Sequence, residues 1–297
     1  MKIGLVEVAY YFGREGVSMG AGPARYVHAG AEDMLRRAGQ DVRLDKVRLD
    51  ASIADDYSAI VEVNRRVAST VRKAVDDGYF PLVLAGLCNT SIGVLAGVGI
   101  ESTGIIWFDA HGDFNTPHTT QSGFLDGMAL AIVTGRCHAD LRMSAGQVEP
   151  AAEARVLLVA PRDLDPGERD NLDASQVTVI EYLEVRQSGL ASKLQPTLEK
   201  LQSRTRKVYL HLDVDVLDHN EAPANKYSTP GGLSVSEVEA AIREIAQRFT
   251  IKAATLSAYD PTYDTDGKTL KAGIQLMRAI IESVDGGPGS RQIDTGQ

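Results

Sequence analysis

The sequence predicts a three-layer α/β/α fold with a mainly parallel sheet of roughly eight strands. Short apolar runs recur along the 297 residues, and they are continuous rather than alternating. Continuous apolarity is typical of strands that are buried on both faces of a parallel sheet. Stretches with helical periodicity lie between these runs, and such alternation indicates an α/β arrangement. The predicted strands are residues 3–8, 42–47, 81–85, 104–108, 156–160, 177–180, 208–212 and 251–256.

Helical periodicity is found at residues 24–37, 55–77 and 234–248. The last of these opens with Ser234 and Glu237, which stand at the spacing of a capping box. No internal repeat or long linker interrupts the alternation, so we expect residues 1–284 to form a single domain. The closing residues 285–297 are glycine-rich and polar, and they predict a frayed, flexible tail.

Charge and composition argue against several classes of protein. The chain has 40 acidic and 31 basic residues and a net charge of −9, whereas nucleic acid or an anionic membrane surface requires a basic face. No apolar stretch reaches the roughly 18 residues of a membrane span, and the N-terminus lacks a signal-peptide pattern. Two cysteines, Cys88 and Cys137, give no disulfide framework. We therefore expect a soluble cytoplasmic protein with no nucleic-acid or membrane partner.

Metal-ligand residues follow two of the predicted strands. One strand runs into Asp109, His111 and Asp113, and another into Asp213 and Asp215. Functional residues of such sheets gather at the carboxyl ends of strands, and residues at i, i+2 and i+4 of an extended chain share one face. A single aspartate would be explained as a cap of the next helix. Five such residues together are costly to bury unless they bind metal.

The size of this donor set indicates two ions. Four carboxylates and one imidazole are more donors than one divalent ion commonly takes from protein, and shared aspartates can bridge two ions with a hydroxide between them. Oxygen-rich ligation with one imidazole favours a hard or borderline ion, with manganese first. The residues alone therefore predict a metal-dependent hydrolase that uses two divalent ions.

The same segments resemble the arginase family of ureohydrolases. The resemblance is carried by Asp-Ala-His-Gly-Asp-Phe-Asn-Thr-Pro at residues 109–117 and by His-Leu-Asp-Val-Asp-Val-Leu-Asp at 211–218. Residues 162–168 are similar to the arginase loop that reads the amino-acid end of the substrate, and residues 16–23 to the family's glycine-rich N-terminal loop. The resemblance covers nearly the whole chain. It implies an arginase/deacetylase-like fold, a small guanidino substrate and a homo-oligomer, either a trimer or a hexamer.

The resemblance also implies a role for each ligand. Asp109 and Asp213 would bridge the two ions, and His111 and Asp215 would bind the second. Asp113 would bind the first ion and act as a catalytic residue by hydrogen-bonding the bridging hydroxide. In the mechanism of the family, this hydroxide attacks the guanidinium carbon, and urea and an amine are released.

A substrate-binding shell is implied in the same way. Asn115, Thr120 and Ser122 match positions where arginases bind the α-carboxylate. Asp165 matches the residue that faces the α-amino group, with Glu168 nearby. A structural interpretation stays open for each, since Asn115, Thr120 and Ser122 are turn formers and Asp165 opens an Asp-Pro-Gly turn.

Three departures from the family pattern fall at the reacting end. Cys88 stands in place of a histidine ligand, and it is either a softer thiolate ligand or a buried, inert cysteine. Asp126 replaces a histidine thought to shuttle protons or hold substrate. As the second catalytic candidate it could accept a hydrogen bond from guanidinium, and proton delivery would fall to water, to His118 or to Asp126 with a raised pKa. Ala258 replaces a glutamate that grips the guanidinium, and Asp260 is a candidate to compensate.

The predicted function is hydrolysis of arginine or of a derivative whose distal group is not a plain guanidinium, such as N-hydroxyarginine. The N-hydroxyarginine hydrolases of antibiotic biosynthesis resemble this chain in the cysteine at the ligand position and in the Asp-Phe-Asn-Thr-Pro run. Two alternatives stay open. One is a metal-binding regulatory protein without turnover, and the other is a single-metal amide hydrolase of the deacetylase type.

Overall fold

The computed structural model describes residues 1–50, 53 and 55–287. Its central feature is an eight-stranded sheet. The strands of this sheet are β1 (Lys2–Val8), β4 (Asp41–Lys46), β5 (Phe80–Ala85), β6 (Thr103–Phe108), β7 (Val156–Val159), β8 (Thr178–Ile180), β9 (Lys207–Asp213) and β10 (Thr250–Ser257). A short antiparallel hairpin, β2 (Tyr10–Tyr11) and β3 (Arg14–Glu15), follows β1 and was not predicted.

The strand order is β4-β1-β5-β10-β9-β6-β7-β8, and all neighbours in it run parallel. Each of the eight predicted strands is found, with bounds within about two residues of those expected. The parallel sheet predicted from continuous apolar runs is thereby confirmed.

The helices form a layer on each face of the sheet. They are α1 (Ala21–His28), α2 (Ala31–Arg37), α3 (Asp56–Asp76), α4 (Ser91–Val98), α5 (Ala129–Val133), α6 (Ala139–Ser144), α7 (Pro166–Asp173), α8 (Tyr182–Ser188), α9 (Leu190–Gln202), α10 (Val235–Arg248) and α11 (Lys268–Asp285). Leu82 and Leu84 of β5 join the apolar core made with α9, α10 and α11, whereas Val83 joins the core made with α3, α4 and α5. Alternate side chains of one strand thus pack on opposite helix layers, as the three-layer fold requires. Among the described residues, none of these helices is long and apolar enough to cross a membrane.

Two helix predictions are confirmed and one is wrong. Asp55 caps α3, and Ser234 with Glu237 forms the expected capping box of α10. The single helix expected at 24–37 is instead α1 and α2, because Gly30 takes a left-handed φ of 91° between them. α11 ends at Asp285, where the predicted tail begins, and residues 288–297 of that tail lie outside the part of the chain that is described.

The strand order places the motif loops together. β5, β10, β9 and β6 are consecutive in the middle of the sheet, so their carboxyl ends lie side by side. Ser257 of β10 pairs with Asp213 of β9, and Leu212 pairs with Phe108 of β6. The segments that begin at Cys88, Asp109 and Asp213 therefore leave the sheet at one edge.

Candidate metal centre and substrate pocket

A cavity of about 300 Å³ lies at this edge of the sheet. It is lined by every predicted site residue except Asp109, which is fully buried. The predicted residues in its wall are Cys88, His111, Asp113, Asn115, Thr120, Ser122, Asp126, Asp165, Glu168, Asp213 and Asp215. Residues from five separate segments of the sequence therefore share one site.

Two groups of ligand atoms in this site are each compact enough to bind one ion. The first group is Cys88, Asp109 and Asp213, and the second is Asp109, His111 and Asp215. Within each group the ligand atoms all lie within 4.8 Å of one another. Because Asp109 belongs to both groups, the two ions would be neighbours that share a carboxylate.

The ligand residues after β6 lie in a loop rather than in the extended segment that their spacing predicts. β6 ends at Phe108, and Asp113 has a φ of +49°. The expectation that the i, i+2, i+4 spacing places them on one strand face is therefore wrong, although the side chains still converge. His111 Nδ1 lies 3.3 Å from Asp109 Oδ1 and 3.4 Å from Asp215 Oδ2. Asp113 is buried, and its Oδ2 has no hydrogen-bond partner among the described residues.

The electrostatics of the cluster fit cations. Burial raises the pKa of Asp109, Asp113 and Asp213, and neighbouring carboxylates raise it further. Burial alone would lower the pKa of His111, but Asp215 and Asp109 hold it well above its ordinary value. Carboxylates crowded in surroundings of low dielectric repel one another, and divalent cations relieve that repulsion. The unpartnered oxygen of Asp113 and this donor set together fit a centre of two metal ions.

Cys88 follows β5 and opens a short 3₁₀ helix, Cys88–Thr90. Its Sγ donates to Asp213 Oδ2 at 2.9 Å and lies 3.2 Å from Ser257 Oγ. Burial, and then the surrounding carboxylates, raise the pKa of the thiol. A bound cation has the opposite effect and favours the thiolate. The sulfur therefore lies beside Asp213 within the first ligand group.

Asp126 lines the cavity, but both of its oxygens hold the Cys88 turn. Oδ2 accepts from the backbone N–H of Cys88 at 3.1 Å, and Oδ1 from that of Asn89 at 2.8 Å. Burial raises the pKa of Asp126 to about 7, although these two hydrogen bonds oppose the shift. The structure therefore gives Asp126 a supporting role that its position in the sequence did not reveal.

Asp165 and Asn115 form one hydrogen-bonded unit in the cavity wall. Asp165 Oδ2 accepts from Asn115 Nδ2 and from the backbone N–H of Gln121, both at 3.1 Å. Asn115 Oδ1 in turn accepts from Thr119 Oγ1 at 2.9 Å. The half-buried carboxylate of Asp165 is therefore held in place beside the cavity.

The other three predicted substrate residues differ in their surroundings. Thr120 and Ser122 lie at the rim of the cavity, with their hydroxyl oxygens 3.4 Å apart. Glu168 is buried, and it accepts from the backbone N–H of Phe114 at 2.8 Å and of Asp165 at 3.3 Å. Burial raises the pKa of Glu168 to about 7 against these two bonds. Glu168 thus links the start of α7 to the loop that carries Asp113.

The position of Asp260 does not fit a compensating role at the reacting end. Ala258 lines the cavity, but Asp260 is buried and caps the 3₁₀ helix Pro261–Tyr263. Its Oδ2 accepts from Ser18 Oγ at 2.9 Å, and its Oδ1 accepts from Thr262 Oγ1 at 2.7 Å. Both oxygens are therefore committed to local structure. His118, the other candidate for proton delivery, is exposed.

Several residues that sequence reasoning left without a role belong to the site. Met19, Phe124 and Tyr227 also line the cavity, and the rings of Phe124 and Tyr227 are 5.0 Å apart. His211 is fully buried, with Nε2 3.3 Å from Cys88 Sγ, and burial lowers its pKa to about 3. A histidine inside an otherwise apolar strand is a signal that could have revealed it. Loop aromatics such as Tyr227 give no comparable signal.

Comparison with known proteins gives a consistent result. The model of the Arginase family matches residues 2–282. The arginase of Bacillus caldovelox is 33% identical over 280 residues, which cover 90% of this chain and 93% of that protein. The arginase of Bacillus subtilis (strain 168) is 32% identical, with 90% and 93% covered. The crystal structure of arginase from Bacillus cereus superposes with a TM-score of 0.86 at 29% identity, covering 94% of this chain and 98% of that one.

The fold and the site define a metal-dependent hydrolase that acts on guanidino compounds. Enzymes of this family depend on a binuclear metal centre, which agrees with the two ligand groups that share Asp109. The chain belongs to the arginase family.

Proposed function

We propose that this enzyme hydrolyses the guanidino group of arginine or of a close α-amino-acid derivative such as N-hydroxyarginine, and releases urea or a urea analogue. One observation carries the proposal. A single cavity is lined by members of both ligand groups, which share the buried Asp109, and in the same wall by the hydrogen-bonded pair of Asp165 and Asn115. Such a cavity can bind the two ends of one amino acid.

We propose that Cys88 and Asp113 complete the ligand set and that manganese is the native ion. The sulfur of Cys88 lies within the first ligand group, and the unpartnered oxygen of Asp113 is buried in the same cavity. Two divalent ions bound here would lower the pKa of water and supply a nucleophile at neutral pH. Carboxylate-rich ligation favours manganese, whereas a thiolate also suits softer ions such as zinc.

The amino-acid end of the substrate is assigned to the wall that carries Asp165. Two donors hold this carboxylate, so it is oriented before substrate binds and can face an α-ammonium group. The hydroxyls of Thr120 and Ser122 at the rim are suited to an α-carboxylate. A substrate without the carboxylate would lose these contacts.

The reacting end favours a derivative over plain arginine. Ala258 supplies no charge there, and Phe124 and Tyr227 make the nearby wall partly apolar. A fully charged guanidinium is costly to bury without a paired carboxylate. A less basic N-substituted guanidino group, such as N-hydroxyguanidine, meets this wall at lower cost.

A substrate panel tests the proposal. Metal-loaded enzyme is incubated with arginine, N-hydroxyarginine, agmatine and guanidino acids, and urea, hydroxyurea and the amine product are quantified by mass spectrometry. We expect turnover of an α-amino-acid substrate and little turnover of agmatine, which lacks the α-carboxylate. No urea or urea analogue from any compound would refute the proposal.

A pair of variants close together in the sequence controls for contaminating activity. Asp213→Asn removes a ligand and should abolish turnover, whereas Asp218→Asn changes a carboxylate that accepts from Asn220 outside the cavity. Asp218→Asn should keep the activity.

Cytoplasmic location and a trimeric or hexameric assembly are further proposals that rest on the sequence and the family resemblance.

A further inference from the structure

His211 is a buried imidazole that the proposed chemistry does not use. It lies in β9 and is fully buried, in register with Trp107 of β6 on one side and Thr255 of β10 on the other. Its ring stacks on that of Trp107, with centroids 3.5 Å apart and planes inclined by 11°. The stacking and the sheet fix the plane of the imidazole, so the directions of its two nitrogens are fixed as well.

Both nitrogens face polar atoms. Nδ1 lies 3.0 Å from the Tyr209 hydroxyl, and Nε2 lies 3.0 Å from Ser257 Oγ and 3.3 Å from Cys88 Sγ. Ser257 Oγ is itself 3.2 Å from Cys88 Sγ. The sulfur of Cys88 is therefore approached on its protein side by an imidazole and a hydroxyl, and by the Asp213 carboxylate in the first ligand group.

The hydroxyls behind His211 allow the tautomer that a thiolate needs. A neutral imidazole has one N–H donor and one acceptor nitrogen. The Tyr209 hydroxyl is within reach of both Nδ1 and Thr255 Oγ1, at 3.0 and 2.7 Å. In the structure Tyr209 donates to Thr255 Oγ1, so its oxygen can accept from Nδ1–H, and Nε2 then faces the Cys88 thiol as an acceptor. In the other neutral tautomer, Tyr209 donates to Nδ1 and the ring hydrogen on Nε2 points to the sulfur. A thiolate matches the second tautomer, because a thiolate accepts a hydrogen bond whereas a thiol donates one.

We propose that His211 is a positioning residue for the metal centre: its Nε2–H donates to the Cys88 thiolate and, with Ser257, holds the sulfur toward the site shared with Asp109 and Asp213. This inference rests on the proposed function, because it requires Cys88 to be a metal ligand. Hydrogen bonds to a thiolate reduce the negative charge on sulfur, and they restrict the rotamer that reaches the ion. Loss of such supporting partners typically weakens metal binding about 10- to 100-fold.

Cobalt(II) provides a readout that is independent of activity. A thiolate bound to Co²⁺ gives a near-ultraviolet charge-transfer band, and titration with Co²⁺ also gives the affinity of each site. Wild-type protein should show the band, and Cys88→Ser should lose it. His211→Leu should shift the band and weaken binding at the first site about 10- to 100-fold, with the second site much less affected. His211→Gln, which can place a donor near the position of Nε2, should recover part of the affinity.

Tyr209→Phe is the matched variant, because it removes the hydroxyl that contacts Nδ1 and leaves Nε2 and Cys88 in place. We expect its affinity for Co²⁺ to lie between those of wild type and His211→Leu, and it keeps the test valid if His211→Leu does not fold. A wild-type spectrum and affinity in Tyr209→Phe and His211→Gln, and in His211→Leu where it folds, would overturn the role of His211. A wild-type protein that hydrolyses guanidino substrates without a thiolate band would overturn this inference and the proposed ligation by Cys88, and it would leave the proposed hydrolysis of a guanidino group standing.

Discussion

At the scale of single residues, Asp126 and Ala258 show how the reacting end differs from the pattern implied by arginases. Both oxygens of Asp126 accept hydrogen bonds from backbone N–H groups of the Cys88 turn. Ala258 leaves the cavity wall without the carboxylate that the family resemblance implies there. Each difference is the exchange of a single residue, and the two exchanges act in different ways. Asp126 affects the position of a ligand, whereas Ala258 affects the charge that the substrate meets.

Asp126→Asn should lower both stability and metal affinity. The amide keeps one acceptor oxygen and turns its NH₂ group toward the other backbone N–H, so one buried donor loses its partner. We expect the free energy of unfolding to fall by about 1–3 kcal/mol, measured by urea denaturation of the metal-free protein, and the first ion to bind more weakly. The control Asp163→Asn changes an exposed carboxylate that lines the same cavity, and it should change the free energy of unfolding by less than about 0.5 kcal/mol. Unchanged stability and metal content with lost turnover would instead make Asp126 a proton-transfer group.

Ala258→Glu should shift selectivity toward plain arginine. A carboxylate at this position can pair with a charged guanidinium, and a hydrogen bond to a charged group contributes about 1.5–3 kcal/mol. The ratio of kcat/KM for arginine over N-hydroxyarginine should therefore rise at least about tenfold relative to Ala258→Gln, which has the same size without the charge. An equal ratio in the two variants would show that the guanidino group does not lie beside residue 258.

At the scale of elements, the glycine-rich N-terminal segment supports the Cys88 turn through close backbone packing. A Cβ at Gly86 would collide with the carbonyl oxygen of Tyr10 and lie 2.8 Å from Gly20 Cα. The residue after β5 can therefore approach Tyr10 and the segment before α1 this closely only because residue 86 is glycine. This contact explains in structural terms why the glycine loop and the turn after β5 belong to the same site.

Gly86→Ala should destabilise the protein through this collision. Overpacking of a tight contact costs about 1–3 kcal/mol, and thermal unfolding of the variant should show the corresponding fall in Tm together with weaker binding of the first ion. Gly127→Ala is the control, because a Cβ there would meet no atom of the described residues within 4 Å. Equal stability of the two variants would contradict the proposed contact.

The elements also show what could be predicted from the sequence. Continuous apolar runs identified all eight strands of the sheet, because burial on both faces leaves a strong local pattern, and parallel strand ends explained why Cys88, Asp109 and Asp213 meet. The positive φ of Asp113 could not be predicted, since a loop conformation depends on contacts such as that of Glu168 with Phe114. The same holds for the partners of Asp126, which are distant in the chain.

At the scale of the whole molecule, the strand order concentrates acidic residues at the centre of the sheet. The four central strands are β5, β10, β9 and β6, and Cys88, Asp109 and Asp213 lie together at their carboxyl ends. Asp113 and Asp215 line the same cavity. A fold that buries this many carboxylates is unfavourable unless cations balance them. The central claim is therefore that the native molecule holds two ions that share Asp109.

Metal content is the most direct measurement of that claim. Purified protein is loaded with Mn²⁺, desalted and analysed by plasma mass spectrometry, alongside Asp109→Asn and the control Asp218→Asn. We predict two ions per chain in wild type and in Asp218→Asn, and loss of both ions in Asp109→Asn, because both ligand groups include this carboxylate. A single ion per chain in wild type, or one ion fully retained by Asp109→Asn, would contradict the shared centre.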